Sequence, residues 1–310
     1  MKNHEFKFID LRIDWAFKYV YGTRGNEDLL LELLTAILPE KRICKVTLCE
    51  QEQMPDRHEQ RKAVFDVNCT TENEESFIIE MQYAEQNDFA NRMMYYSGFP
   101  IRNDVRKGEN VYKFRPVYVI GILNFLMPGV ERNDRLINRY SVRNDRHPHA
   151  MLFDDWHCIT VELPKLGDDP KKLSAQEMQL YVIKNSGSMS SRPDEFKSKS
   201  FDKLFGVINF ASMSEKDQEM YESEFRWILN RNSEMATAIE KGLQLGQTQG
   251  RAQGIAQGIA EGIAQGRAEG RAEGIQEGKL EIACSMKADG MSSESICKYT
   301  GLTLEQIAEL

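Results

Sequence analysis

No stretch of this 310-residue chain approaches the ~20 consecutive apolar residues that a membrane span needs. Paired cysteines are missing as well. Cys44, Cys49, Cys69, Cys158, Cys284 and Cys297 are scattered without any Cys-x-x-Cys. That excludes both a disulfide framework and a standard zinc-ribbon pattern. There is no excess of positive charge: the formal net charge is −8, so affinity for nucleic acid would have to come from local patches. Met1-Lys2-Asn3-His4-Glu5 lacks the apolar stretch of a signal peptide. These absences give the expectation of a protein of the reducing cytoplasm, without a membrane partner.

Apolar residues make up 41% of the chain, enough for at least one sizeable core, and the length allows about two domains. Residues 10–21 read as a helix ended by Gly22, and Glu27 to Leu38 as a second, closed by Pro39. Lys45 to Gln53 reads as a strand and 62–83 as a hairpin. Asn87 to about Arg106 is a further helix. Pro116 to Phe125 is a near-continuous apolar run, as expected for a central strand covered on both faces. His157 to Leu163 completes an α/β pattern. From about Ser174 to Met235 the signals are helical.

The hairpin carries the most informative residues. Val64-Phe65-Asp66-Val67-Asn68-Cys69 and Phe77-Ile78-Ile79-Glu80-Met81-Gln82 are core-like runs, separated by polar Thr70 to Ser76. Each run holds one acid. Acids are almost never fully buried unless paired or bound to metal. Asp66 and Glu80 are therefore either ligands of one hard cation such as Mg²⁺, which prefers oxygen donors, or satisfied carboxylates at the sheet's end. Lys62 is the only basic residue near them on the two strands. Asp14 and Lys18 are spaced as a surface i,i+4 ion pair or as site residues. Arg92 and Tyr95–Tyr96 suit either phosphate contact or helix packing. Arg132, Arg135, Arg139, Arg143 and Arg146 make 131–146 the most basic stretch, which is a DNA contact or a solvated loop. His147, His149, His157 and Cys158 fit no standard zinc spacing.

Glycine recurs at every fourth position from Gly242 to Gly278, ten times without a miss. Most of the rest is Ala, Gln, Glu, Ile and Arg. In a helix these glycines cost roughly 8–10 kcal/mol relative to alanine. A partner helix approaching closely along the glycines would offset that cost; otherwise the segment is a linker. At ~100° per residue the stripe drifts ~40° at each step, so only a short crossing or a right-handed supercoil can follow it. Residues 279–310 read as a small helical unit with a capping box at Thr303-x-x-Gln306. The unit resembles a small helix-turn-helix, or serves as a helical cap; its three lysines face five acidic residues.

Taken together, Asp14-Trp15-Ala16-Phe17-Lys18, Phe65-Asp66-Val67, Glu80-Met81-Gln82, Arg92 with Tyr95-Tyr96, and Pro116-Val117-Tyr118-Val119-Ile120 resemble one group. It is the recombination-promoting nuclease (Rpn) and putative transposase group of the PD-(D/E)XK nuclease superfamily. The similarity covers roughly residues 8–165, and the order and spacing of the motifs carry it. The resemblance implies an α/β fold: a restriction-endonuclease-like mixed sheet flanked by helices, then a helical C-terminal region. The divisions expected are a nuclease-like domain over 1–170, a helical extension over 171–241, the glycine repeat over 242–278, and a small helical unit over 279–310.

The resemblance also implies Mg²⁺-dependent cleavage of DNA phosphodiesters. By position, Asp66 and Glu80 would hold the metal. Gln82 stands where the wider superfamily has lysine. Asp14 would be the first-helix acid, and Lys18 would supply the positive charge Gln82 lacks. Arg92, Tyr96, Arg135, Arg139 and Arg143 are the candidate DNA contacts. A homo-oligomer through 242–278 is the expected assembly. The rival expectation is a catalytically weak, oligomeric DNA-binding or partner-binding protein acting through its C-terminal region.

Overall fold

In the computed structural model, residues 6–53, 63–104, 113–128 and 133–310 are described. Lys62, Glu131 and Arg132, and the end of the helix expected over 87–106, lie outside them. The chain divides into two units, Met1–Leu229 and Asn230–Leu310.

In the first unit, α1 (Asp14–Tyr21) and α2 (Glu27–Ile37) open the fold. The first helix starts later than the sequence predicts, because residues 8–11 are committed elsewhere. The Ile9 N–H donates to the Ile208 carbonyl and the Leu11 N–H to the Ser186 hydroxyl. The strand expected over 45–53 is two short ones, β1 (Val46–Leu48) and β2 (Glu52–Gln53). Then follow β3 (Ala63–Val64), β4 (Val67–Thr71), β5 (Ser76–Gln82), α3 (Phe89–Asp104) and β6 (Val117–Leu123). Next come β7 (Ile137–Tyr140) and β8 (Trp156–Glu162). The strand β7 lies inside the stretch expected to be a basic patch or loop.

A mixed six-stranded sheet runs β1-β4-β5-β6-β8-β7, with β2 and β3 paired separately. The strands β5, β6 and β8 are parallel, and the flanking pairs are antiparallel. Every residue of β5 and β6 is buried, in keeping with their continuous apolar composition. The helix α3 packs on one face, where Phe89, Met93 and Phe99 meet Ile78, Val117 and Val119. On the other face α1 and α2 pack with α4 (Ala175–Asn185) and α5 (Lys199–Val207) around Phe77, Ile79, Ile120 and Val161. Residues 171–229 thus share the sheet's core. The β4–β5 turn is tight: Glu74 adopts φ +61°, and the Glu74 N–H donates to the Thr71 carbonyl at 3.0 Å.

The last helix of this unit is the beginning of α6 (Glu215–Ala288). Its Tyr221 is buried among Phe6, Phe210 and Phe225, and its hydroxyl accepts the Asp10 N–H at 2.9 Å.

In the second unit the rest of α6 carries the whole glycine repeat as continuous helix, with the side chains of 242–277 exposed. The helices α7 (Ser293–Thr300) and α8 (Leu304–Ala308) follow. Ala283, Ile296, Leu302 and Ile307 form a small core. Gly301 ends α7 in the left-handed region at φ +70°, a conformation that favours glycine. The capping box expected at Thr303 and Gln306 is present. No helix among the described residues is long and apolar enough to cross a membrane.

Candidate active site

The antiparallel register of β4 and β5 places Val67 opposite Ile79, which puts Asp66 opposite Glu80 on the same face. Asp66 stands at the break between β3 and β4, and its carbonyl accepts the Gln51 amide at 3.0 Å. The two acids are 4% and 3% exposed. Backbone groups supply part of their satisfaction. The Asp66 N–H donates to Glu80 Oε1 at 3.2 Å, and the Met81 N–H donates to Asp66 Oδ2 at 2.7 Å.

Two helices bring further charges to this pair. One turn of α1 separates Asp14 from Lys18, whose Nζ lies 2.8 Å from Asp14 Oδ2 and 3.1 Å from Asp66 Oδ1. Asp14 and Lys18 are thus an i,i+4 ion pair, and the Lys18 ammonium also pairs with the buried Asp66 carboxylate. From α3, Arg92 and Tyr96 reach the same place. The Arg92 guanidinium lies over the Phe89 ring and the Tyr96 ring, and its Nη1 donates to Gln86 Oε1 at 2.9 Å. Its Nε and Nη2 are buried with no hydrogen-bond partner. Leaving such donors unmade is unfavourable, so they are available to an acceptor that enters the site.

The electrostatics follow from this crowding. Burial pushes the Glu80 carboxyl up to about 7, against the pull of the Asp66 N–H and the charges of Arg92 and Lys18. Burial, then Glu80 and Asp14, hold the Asp66 carboxyl well above the ordinary aspartate range, and Lys18 opposes them. Burial works against the Lys18 ammonium, but Asp66 and Asp14 outweigh it and raise its pKa. Burial and Glu80 push the Tyr96 phenol up to about 12, so it remains a donor at neutral pH. Among the described residues, Lys18 and Arg92 are the cations that act on Asp14, Asp66 and Glu80, two positive charges beside three carboxyl groups.

Gly121 makes the approach of α3 possible. It pairs with Glu80 in the β5–β6 register, and a Cβ there would lie 2.5 Å from Phe89 Cζ. A glycine inside an apolar strand is a readable sign of such close passage, although its importance to the site was not legible. Gly121→Ala should cost about 1–3 kcal/mol by overpacking and should displace the start of α3. Urea denaturation checks the first effect; the second would appear as altered Tyr96 environment in near-ultraviolet circular dichroism.

Gln82 ends β5 on the same alternating face as Glu80. Its Nε2 donates to the Met81 carbonyl at 3.1 Å. Beside it lies a group the sequence did not mark. Asn124 accepts from Arg12 at 3.5 Å and donates to the Tyr83 carbonyl at 3.2 Å, while Arg12 is held by Asp10. The spacing Asp10-x-Arg12 on a non-helical segment leaves no periodic signal.

Arg135, Arg139 and Arg143 fall on or beside β7, three strands from β5, about 14 Å away at ~4.8 Å per strand. Arg139 pairs with Glu40 and donates to the Ile37 carbonyl at 3.3 Å; Arg143 donates to the Pro148 carbonyl at 2.9 Å. The structure does not bring these arginines to the carboxylates. His157 stacks on Tyr118 with ring centroids 4.3 Å apart. Among the described residues no group of three or more His, Cys, Asp or Glu side chains is assembled to hold a metal.

The donor set nevertheless fits a hard divalent cation. Asp66 and Glu80 offer buried carboxylate oxygens on one face, and Mg²⁺ characteristically takes one or two carboxylates and keeps several waters. No curated protein and no solved structure matches the chain. A family model does match, over residues 11–238, which reaches beyond the sheet through α4 and α5 into the start of α6. With Asp66 and Glu80 paired across inner strands of a mixed sheet, within reach of α1 and α3, and with that match over most of its length, the chain belongs to the PD-(D/E)XK nuclease family transposases.

Proposed function

We propose that the protein is a Mg²⁺-dependent DNA endonuclease acting in recombination or transposition, with Asp66 and Glu80 as the residues that hold the metal. The observation that carries this reading is the surplus of buried carboxyl groups: two acids on paired strands, beside a third, with two cations, Lys18 and Arg92, acting on them among the described residues. A divalent cation held there would activate water and offset charge on the phosphate. The other roles belong to side chains of this chain. Gln82 orients water through its amide and brings no charge. Lys18, steadied by Asp14, provides the cation that Gln82 does not. The unmade Arg92 donors and the Tyr96 hydroxyl bind phosphate oxygens of the DNA. Arg135, Arg139 and Arg143 contribute at most a peripheral DNA contact, since two of them already hold Glu40 and Pro148. Six free cysteines fit work in a reducing cytoplasm.

The test is nicking of supercoiled plasmid by the purified chain with Mg²⁺ and with chelator. Cleavage in Mg²⁺ alone is expected. Absence of cleavage under both conditions would favour the non-catalytic binding role.

The proposed assembly is a homo-oligomer through 242–278. The repeat is a helix with its isoleucines exposed, and beyond the helix's own backbone a Cβ added at any of its glycines would meet nothing within 4 Å, while the glycines disfavour a solitary helix by roughly 8–10 kcal/mol. Light scattering should therefore find the full chain oligomeric and residues 1–241 monomeric. Equal masses per chain would leave the repeat as a linker.

A further inference from the structure

We propose that Lys18 is a displaceable internal counter-ion, which occupies the cation position on Asp66 in the metal-free protein and must leave it before a divalent metal can bind. This rests on the metal-site reading of Asp66 and Glu80 given above. Both Asp66 oxygens are engaged: Oδ1 by the Lys18 ammonium at 3.1 Å, and Oδ2 by the Met81 N–H at 2.7 Å. The backbone donor is fixed by the sheet. The ammonium sits at the end of a flexible four-carbon stem. Of the two, only Lys18 can move without undoing a strand.

Lys18 also has somewhere to go. Asp14, half exposed and one helical turn away, already binds the same ammonium at 2.8 Å. Loss of the Asp66 contact therefore leaves Lys18 with an ion pair at the edge of the site. The described residues present no ready cage of three ligands, and the Lys18 ammonium bridges two of the three carboxyl groups, Asp14 and Asp66. One charge from α1 stands among them. Arg92 differs. It acts on Glu80 through its charge, but its side chain donates to Gln86, so it does not cover a carboxylate oxygen of the pair. The device makes metal entry an exchange of one cation for another, so that the buried acids are never left wholly uncompensated.

The experiment is Mn²⁺ binding to the full chain, followed by electron paramagnetic resonance, with Mg²⁺ by calorimetry as a second measurement. Lys18→Met should bind Mn²⁺ at least tenfold more tightly than wild type while cleaving plasmid less well. Lys18→Arg, which keeps the charge, should bind no more tightly than wild type. Arg92→Met should tighten binding less than Lys18→Met does. If Lys18→Met does not fold by circular dichroism, Lys18→Gln serves the same purpose. Equal or weaker Mn²⁺ binding by the neutral variants, with Glu80→Gln still weakened, overturns the exchange alone. Equal binding by wild type and Glu80→Gln overturns the metal site itself, and the exchange with it.

Discussion

Asp66→Asn and Glu80→Gln should each reduce Mg²⁺-dependent plasmid nicking about a thousandfold or more, with the fold retained. Each change keeps side-chain volume and removes one carboxylate from the proposed metal site. A metal at a phosphate supplies several kcal/mol of charge stabilisation, and each ~1.4 kcal/mol is a tenfold change in rate. Gln82→Ala should lose far less, because its amide carries no charge and is hydrogen-bonded to the adjacent Met81 carbonyl. Time courses of supercoiled-to-nicked conversion, beside circular dichroism of each variant, measure this. Undiminished nicking in both acid variants would place the activity outside this site.

The second large effect is on stability. Without metal, Glu80→Gln should make the protein more stable than wild type at and above pH 7. The folded protein raises the Glu80 carboxyl from 4.5 to about 7, so over that window the folded state binds more protons than the unfolded state. Stability linked to this group is complete below the unfolded value and is lost as pH rises through about 7. At about 1.4 kcal/mol for each pH unit between the two values, the loss is on the order of 3 kcal/mol. For a unit of this size that corresponds to roughly 6–12 °C in Tm. Thermal melts from pH 4.5 to 8 in chelator should show wild type falling and Glu80→Gln flatter. Added Mg²⁺ should rescue wild type above pH 7 and leave the variant unmoved. Parallel profiles for the two proteins would show that Glu80 is not titrating in the folded state.

Some of this is legible in the sequence, and the reasons are local. Asp66 and Glu80 stand out because each interrupts an apolar run, and a hairpin pattern puts them on one face. The strands β5 and β6 are legible from unbroken apolar composition, and Thr303 with Gln306 from cap spacing. By contrast β7 is only four residues long, and Asn138 and Arg139 inside it make its composition that of a loop. The contact between Lys18 and Asp66 joins a helix to a strand across the fold, so no spacing rule reports it. The same holds for Arg92, whose i,i+4 partner Tyr96 is visible while its approach to Glu80 depends on Gly121 in another strand. The sharing of one core between 171–229 and the sheet is likewise a tertiary fact, invisible to a helical pattern.

The turn between β4 and β5 has a role that reaches beyond its own residues. Side chains alternate along a strand, so the pairing of Asp66 with Glu80 is a matter of parity. Slippage by one residue would set Ile79 or Met81 against Asp66 and turn the apolar set of β5 to the wrong face. The left-handed Glu74 and its bond to Thr71 fix that count from the far end of the hairpin. The chemistry of the site is thus guarded by a segment that contains none of its chemical groups. A single inserted or deleted residue between Glu72 and Glu75 should separate Asp66 from Glu80 as surely as loss of a carboxylate, with every carboxylate still in the chain.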